Sequence, residues 1–471
     1  MKQGFAIGLL FFLALAKLTG QEGYTGIRSD ETRVVNGKTY FVHEVKRGQT
    51  LYALSKAYGV EMQDIIDNNP DILQGLKAGQ TLLIPSMIPV ETPVVELPVE
   101  KQVIQEPPVG QPPPDARKEV YNVALMMHFY LNDLDSMRTD TPSSEEIEGY
   151  TSLRYIQFYE GFRLAVDSLG KTGMKLNLYV YDIDPDPAKT HRVLEKQEMA
   201  KMDLIIGMLF NRNFQVVAEY AREHHIPVIS PVSEREAQIE GNPMVIKVRP
   251  AYSAEGIRVA EYLSGFYSLA HVVIISSPQP DMKTAAEQLY AQCKSAGLDV
   301  SFVGGSQMEN QLLRGGDNIV VIVTNQKTYA LEMLTRLNAI TQDYWFEVIG
   351  LPRWDYFENL DFEYLVKTKA HIVAPFFVDY QDPHVKRFVS LFQQTYKTDP
   401  DNLAFQGFDV GWFFLNALEL FGADFPGCLN ALQIRPLQTQ FKFKQNEGDG
   451  LENQHWEIYR FENYNLVHVE Q

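Results

Sequence analysis

Residues 40–86 read YFVHEVKRGQTLYALSKAYGVEMQDIIDNNPDILQGLKAGQTLLIPS, and they hold a complete small unit. Just upstream, Asn36-Gly37 is the dipeptide of a two-residue hairpin turn, so the following run from Tyr40 to Lys46, carrying Val42, Val45 and aromatic residues, is predicted as a half-buried strand. Gly48 breaks it. Thr50 is placed to cap a helix, and Leu51, Leu54, Ala57 and Tyr58 follow at helical spacing. Gly59 ends that helix. Met62, Ile65 and Ile66 form a second short apolar stripe, Asn69-Pro70 stops it, and Leu82 to Pro85 return as a strand after Gly79. The predicted order is strand, helix, helix, strand.

The runs VKRGQTLYALSKAYGV, DIIDNNP and LKAGQTLLIP together resemble the LysM module, with Gln49 standing where that family most often has Asp. The resemblance implies binding to glycans containing N-acetylglucosamine, in a shallow groove between Gly48, Gln49, Thr50 and Leu51 on one side and Pro70, Asp71, Ile72 and Leu73 on the other. The unit has one acidic group in excess, so charge does not drive such binding; hydrogen bonds and apolar contact with acetamido groups would. The plainer reading of Leu51, Ile72 and Leu73 is that they complete a tiny core.

The termini and composition set further expectations. Met1-Lys2 followed by the apolar run Phe5 to Ala16 is too short to span a bilayer and reads as a signal peptide over residues 1–20, cleaved after Ala16 or Gly20. The first cysteine is Cys293, so no lipid anchor is expected, and no later apolar run reaches membrane-spanning length. With a wall-binding unit, the expected compartment is the periplasm. A net charge of −18 argues against nucleic acid or an anionic membrane as partner. Cys293 and Cys428 either pair or remain buried thiols, and no metal spacing accompanies them.

Residues 87–118 carry eight prolines, at 89, 93, 98, 107, 108 and 112 to 114, and read as a linker whose extended form reaches about 100 Å at most, holding the small unit at arm's length. Beyond it, residues 119–471 alternate apolar strands with amphipathic helices. Strand candidates are 121–127, 175–182, 203–208, 227–231, 271–276, 318–324, 346–351 and 371–377; near-continuous apolar runs between helices predict an α/β fold with parallel sheets covered on both faces. Such a length exceeds one comfortable core, so two lobes are expected.

FYEGFRLAVDSL, LYVYDID, IIGMLFNRNFQVVAEYAREHHIPVISPVSE, VRPAYSAEGIRVAEYL and FQGFDVGWFFLNAL, in that order, resemble the type I periplasmic-binding-protein fold of the leucine-binding class. The resemblance implies two lobes hinged around a ligand cleft, with lobe one at roughly 119–250 plus 377–430. Ligand turns then fall at Arg212 and Asn213 and at Ser233 and Glu234, where amino-acid binders of the class carry small hydroxyl residues that hold a carboxylate. Glu234 would repel a carboxylate unless Arg212 intervened, and the two could equally pair with each other. The turn SSPQPDMKT also lacks the family's Tyr-Gly pair. Phe129, Tyr130, Trp345 and Trp354 offer stacking surfaces for a sugar, although such residues more often serve packing.

No nucleophile elbow, zinc-protease helix motif, phosphate loop or dinucleotide glycine fingerprint is present, so no catalytic residue, metal or cofactor is expected. Asp182, Asp184 and Asp186 resemble the start of a calcium loop, but Pro185 and Pro187 interrupt it, and a strand-ending turn is the favoured reading. The expectation is an exported, non-enzymatic protein held to peptidoglycan, its larger domain a sensor or scaffold for wall-synthesis or envelope proteins. The rivals are a solute-binding protein of an ABC transporter for amino acids or related small molecules, and a wall hydrolase with an unfamiliar active site.

Overall fold

A computed structural model describes residues 29, 32–35, 38–47, 49–58, 60, 62–69, 71, 72, 76–85, 117–131, 155–233, 235–354, 357, 360, 362–462 and 465–469. The N-terminal unit is a three-stranded sheet. Thr32–Val35 pairs antiparallel with Lys38–Glu44, Val35 lying opposite Lys38, and Thr81–Pro85 takes the other side of Lys38–Glu44. Helices Leu51–Tyr58 and Met62–Asn68 cover this sheet and bury Leu54, Tyr58, Ile65 and Ile66 against Phe41, Val45, Leu82 and Ile84. Strand alternation sends Phe41, His43 and Val45 to the same inner face. Asn69 locks the last strand to the second helix: its Nδ2 donates to the carbonyls of Ile65 (2.7 Å) and Leu83 (2.8 Å), and its Oδ1 accepts the Leu83 amide (2.8 Å).

The remainder builds two seven-stranded sheets. The first runs Phe443–Gln445, Leu451–Asn453, Val245–Lys247, Val228–Ser230, Leu204–Met208, Tyr121–Met127, Leu176–Asp182, and only the edge strand Phe443–Gln445 is antiparallel. The second runs Asp299–Gly304, His271–Ser276, Asp317–Val323, Trp345–Leu351, His371–Ala374, Glu457–Glu462, Asn465–His468, with Glu457–Glu462 antiparallel to the strand on either side of it. The chain passes between the sheets after Lys247, after Ala374 and after Asn453. Val245–Lys247, His371–Ala374 and Leu451–Asn453 each run parallel to the inner strand beside them (Val228–Ser230, Trp345–Leu351 and Val245–Lys247), so the carboxyl ends of both sheets face the crossings and border one cleft.

Eight strands coincide with the apolar runs of the sequence. Strands Asp299–Gly304 and Val245–Lys247 and the C-terminal strands were not anticipated, nor was the helix Pro187–Leu194. The first sheet is completed by a helix from late in the chain. Asn402–Phe421 packs along Ile156–Thr172, and their backbones touch at glycine: a Cβ on Gly161 would lie 1.9 Å from the Ala404 carbonyl oxygen, and one on Gly407 2.0 Å from that of Phe158. Cys293 and Cys428 are buried, unpaired thiols. Among the described residues no helix is long and apolar enough to cross a membrane.

The small unit does not stand at arm's length. The linker's length allows separation, but Tyr52 and Met62, together with Leu51 at the rim of the unit's own core, form an apolar face that packs against the second lobe. Tyr52 meets Phe461 edge-on at 5.9 Å between ring centroids. Met62 is only 2% exposed and lies among second-lobe core residues.

Candidate functional site

Two sites follow from this architecture: the first loop of the N-terminal unit and the cleft between the lobes. In the loop, Thr50 Oγ1 accepts the Ala53 amide at 3.1 Å, capping the helix it precedes. Gln49 Oε1 accepts the Lys46 amide at 2.8 Å, closing the turn as an aspartate would. The same oxygen takes a hydrogen bond from His43 Nε2 at 2.9 Å, while Tyr58 Oη donates to His43 Nδ1 at 2.8 Å. This chain assigns His43 the Nε2–H tautomer. An amide oxygen at position 49 thus satisfies a buried ring N–H without placing a formal charge beside it.

Of the other groove candidates, Leu51 is shared between the unit's core and the second-lobe contact, Ile72 is buried in the core and Asp71 is exposed. Gly48, Pro70 and Leu73 lie outside the described residues. His43 was missed by sequence reasoning, yet its signal was present: it alternates with Phe41 and Val45 and so must point inward.

On the lobe-one side of the cleft, the chain turns sharply after Met127. Tyr130 takes a positive φ of 54°, and the amides of Phe129, Tyr130 and Leu131 all point at the Asp182 carboxylate, at 2.9, 3.1 and 3.3 Å. Lys189 bridges Asp182 (3.2 Å) and Asp184 (2.9 Å), and Asp186 caps the helix Pro187–Leu194 through the Ala188 amide. The three aspartates thus form a strand-ending turn held by a lysine. His128 is buried beside them; Nδ1–H donates to the Ile183 carbonyl at 2.6 Å and Nε2 accepts the Phe210 amide at 3.3 Å. Burial lowers its pKa despite the nearby carboxylates, so the ring is neutral. It is sandwiched by Phe210 at 4.4 Å and Tyr130 at 5.6 Å between centroids, and Phe210 remains 45% exposed.

Asn213 is fully buried. Its Nδ2 donates to the Asp184 carbonyl (2.6 Å) and to Thr190 Oγ1 (2.9 Å), which ties its helix to the aspartate turn. Arg212 is exposed on the first turn of that helix, Asn211–His224, and Ser233 Oγ accepts the Arg235 amide at 3.3 Å. Glu234, and with it any pairing to Arg212, lies outside the described residues. On the lobe-two side, Arg353 follows the strand Trp345–Leu351 with φ 61° and lies 5.8 Å over the Tyr252 ring; Arg249, at the first crossing, lies 5.8 Å from Phe376. Trp354 is buried under Gly350, and Trp345, at the opposite end of its strand from the cleft, is 74% exposed.

Residues 43–85 match the family profile of the LysM domain, and residues 153–324 that of the periplasmic binding protein. The chain joins a LysM module to a periplasmic-binding-protein domain. No curated protein sequence matches the chain. Among solved structures, a protein described as a branched-chain amino acid ABC transporter from Rhodospirillum rubrum aligns over 74% of this chain and 100% of its own, at 14% identity and a TM-score of 0.55. An ABC transporter substrate-binding protein from Desulfitobacterium hafniense aligns over the same shares at 15% identity and a TM-score of 0.48. At this identity the first likeness concerns the fold alone. Both of the families matched by profile are non-catalytic.

Proposed function

We propose that the protein is exported, associated with the cell wall and not an enzyme, with the LysM module holding N-acetylglucosamine-containing glycan and the two-lobed domain acting as a sensor or scaffold in the periplasm. The observation that favours a sensor over a nutrient carrier is the end of the strand Tyr121–Met127. There the three amides that would greet an anion are taken by Asp182, whose charge opposes a second carboxylate. Neighbouring Asn213 is fully buried and gives its Nδ2 to the turn.

Glycan capture rests on Gln49, Thr50, Leu51 and Asp71, with Gly48, Pro70, Ile72 and Leu73 completing the groove. The cleft keeps Arg212, Ser233 and Glu234 as candidate ligand residues. Its partners would be wall-synthesis or envelope proteins. A thermal-melting screen against amino acids, short peptides and muropeptides tests the reading. Stabilisation by muropeptides, or by no free amino acid, is expected; a specific shift with a free amino acid overturns it.

Solute capture is a second reading, favoured by Arg353. A bulky residue held at positive φ on a strand end facing the cleft is a strained conformation that a ligand-binding role would explain. It predicts that Arg353→Ala abolishes any small-molecule stabilisation found in the same screen.

A further inference from the structure

The LysM module lies against one of the three segments through which lobe motion must pass. Its Ser55, Val60 and Met62 border a small cleft whose other wall is Phe377, Val378, Tyr380 and Leu466. Residues 375–382 form the second crossing between lobes, and this crossing is fastened at both ends. Phe377 stacks on Tyr459 of lobe two at 4.5 Å and 22°, and its amide donates to the Gln438 carbonyl at 2.8 Å; Tyr380 meets Phe405 of lobe one edge-on at 6.0 Å. A body wedged along this segment restrains how the lobes rotate about it.

The docked face is also the edge of the glycan groove. Leu51 belongs to the loop that lines the groove and to the cluster on the second lobe, and the next residue, Tyr52, lies on Phe461 and lines an apolar hollow with Trp354, Phe362 and Leu365. We infer that wall glycan and the second lobe compete for this face, so that glycan capture lifts the LysM module off the hinge and frees the lobes to move. The inference rests on the LysM module binding glycan. Residues 86–116 between the module and lobe one are long enough to let it leave while keeping it nearby, reaching up to about 100 Å. The tether keeps re-docking an intramolecular event, so docking weakens apparent glycan affinity without abolishing it.

Calorimetry of the full chain with tetra-N-acetylchitotetraose, combined with amide hydrogen exchange at saturation, tests this. The expected result is binding accompanied by faster exchange at Phe377 to Tyr380 and at Tyr459 to Phe461. Binding with unchanged or slower exchange there overturns the competition and leaves the glycan reading intact. Absence of binding overturns both. A second variant, Tyr52→Asp, places a charge in the contact while leaving the groove's loop residues in place. It should raise glycan affinity several-fold and speed hinge exchange before any glycan is added; unchanged affinity with an intact fold contradicts the proposal.

Discussion

Tyr52 of the LysM module and Phe461 of the second lobe meet edge-on, 5.9 Å between centroids and 67° between planes, in contact across the whole proline-rich segment. An aromatic pair of this geometry contributes about 0.5–1.5 kcal/mol beyond its area. That is enough to bias a tethered module toward docking and small enough for a ligand to overcome.

The close backbone approach of two helices in the first lobe gives a sharp stability prediction. Gly407→Ala would push a methyl group into the Phe158 carbonyl, 2.0 Å away, and neither helix backbone can yield locally. Overpacking of this kind costs about 1–3 kcal/mol and more where backbone must move. Urea denaturation should show the loss in the first lobe, whereas Gly427→Ala, with open space around it, should leave the midpoint unchanged.

Asn69→Ala removes two hydrogen bonds to Leu83 of the last LysM strand and one to Ile65 of the second helix, and it leaves the half-buried Leu83 backbone groups without that partner. The expected loss is roughly 2–3 kcal/mol. Hydrogen exchange should read it as lost protection at Thr81 to Pro85 with the two lobes unaffected. Loss of protection in both lobes would mean that the module and the larger domain unfold as one unit.

His371 is fully buried, and burial pushes its pKa down to about 4 against the opposing pull of Glu347. The unfolded chain takes up a proton near pH 6.5, while the folded chain refuses it until about pH 4. Stability is therefore lost as pH falls from 6.5 to 4, on the order of 3 kcal/mol from this group. In His371→Gln the denaturation midpoint of the second lobe should vary less steeply over that window; an unchanged slope would show that the ring does not carry the effect.

Much of this fold could be read from sequence where one physical signal dominated. Runs such as VVII and IVVIV at Val272–Ile275 and Ile319–Val323 are buried on both faces and admit little else. Asp299–Gly304 was invisible because DVSFVG sits at a sheet edge and mixes polar with apolar residues. The C-terminal strands were hidden for another reason: Leu451–Asn453 and Glu457–Glu462 are neighbours in sequence but belong to different sheets, a partition that no local pattern encodes. At the glycan loop, Thr50 was legible as a cap because its partner is three residues away, whereas the Tyr58–His43–Gln49 chain joins three elements and needs the fold to be seen. In the cleft, Asn213 looked like a ligand residue from its position at a helix start. Only packing reveals that its amide is spent on Asp184 and Thr190.

Gln49→Ala should separate folding from recognition in the loop. The Lys46 amide is near the surface and turns to water, but the buried His43 Nε2 loses its partner, so stability should fall by roughly 1–3 kcal/mol, and loss of the side-chain amide should in addition weaken chitooligosaccharide binding by the folded variant several-fold. Equal affinity for the variant would remove Gln49 from the groove.

The central claim is that the LysM module fixes where the protein works, and co-sedimentation with purified peptidoglycan sacculi tests it most directly. The full chain should pellet with sacculi and a chain lacking residues 40–86 should stay in the supernatant; equal retention of the two would contradict the account.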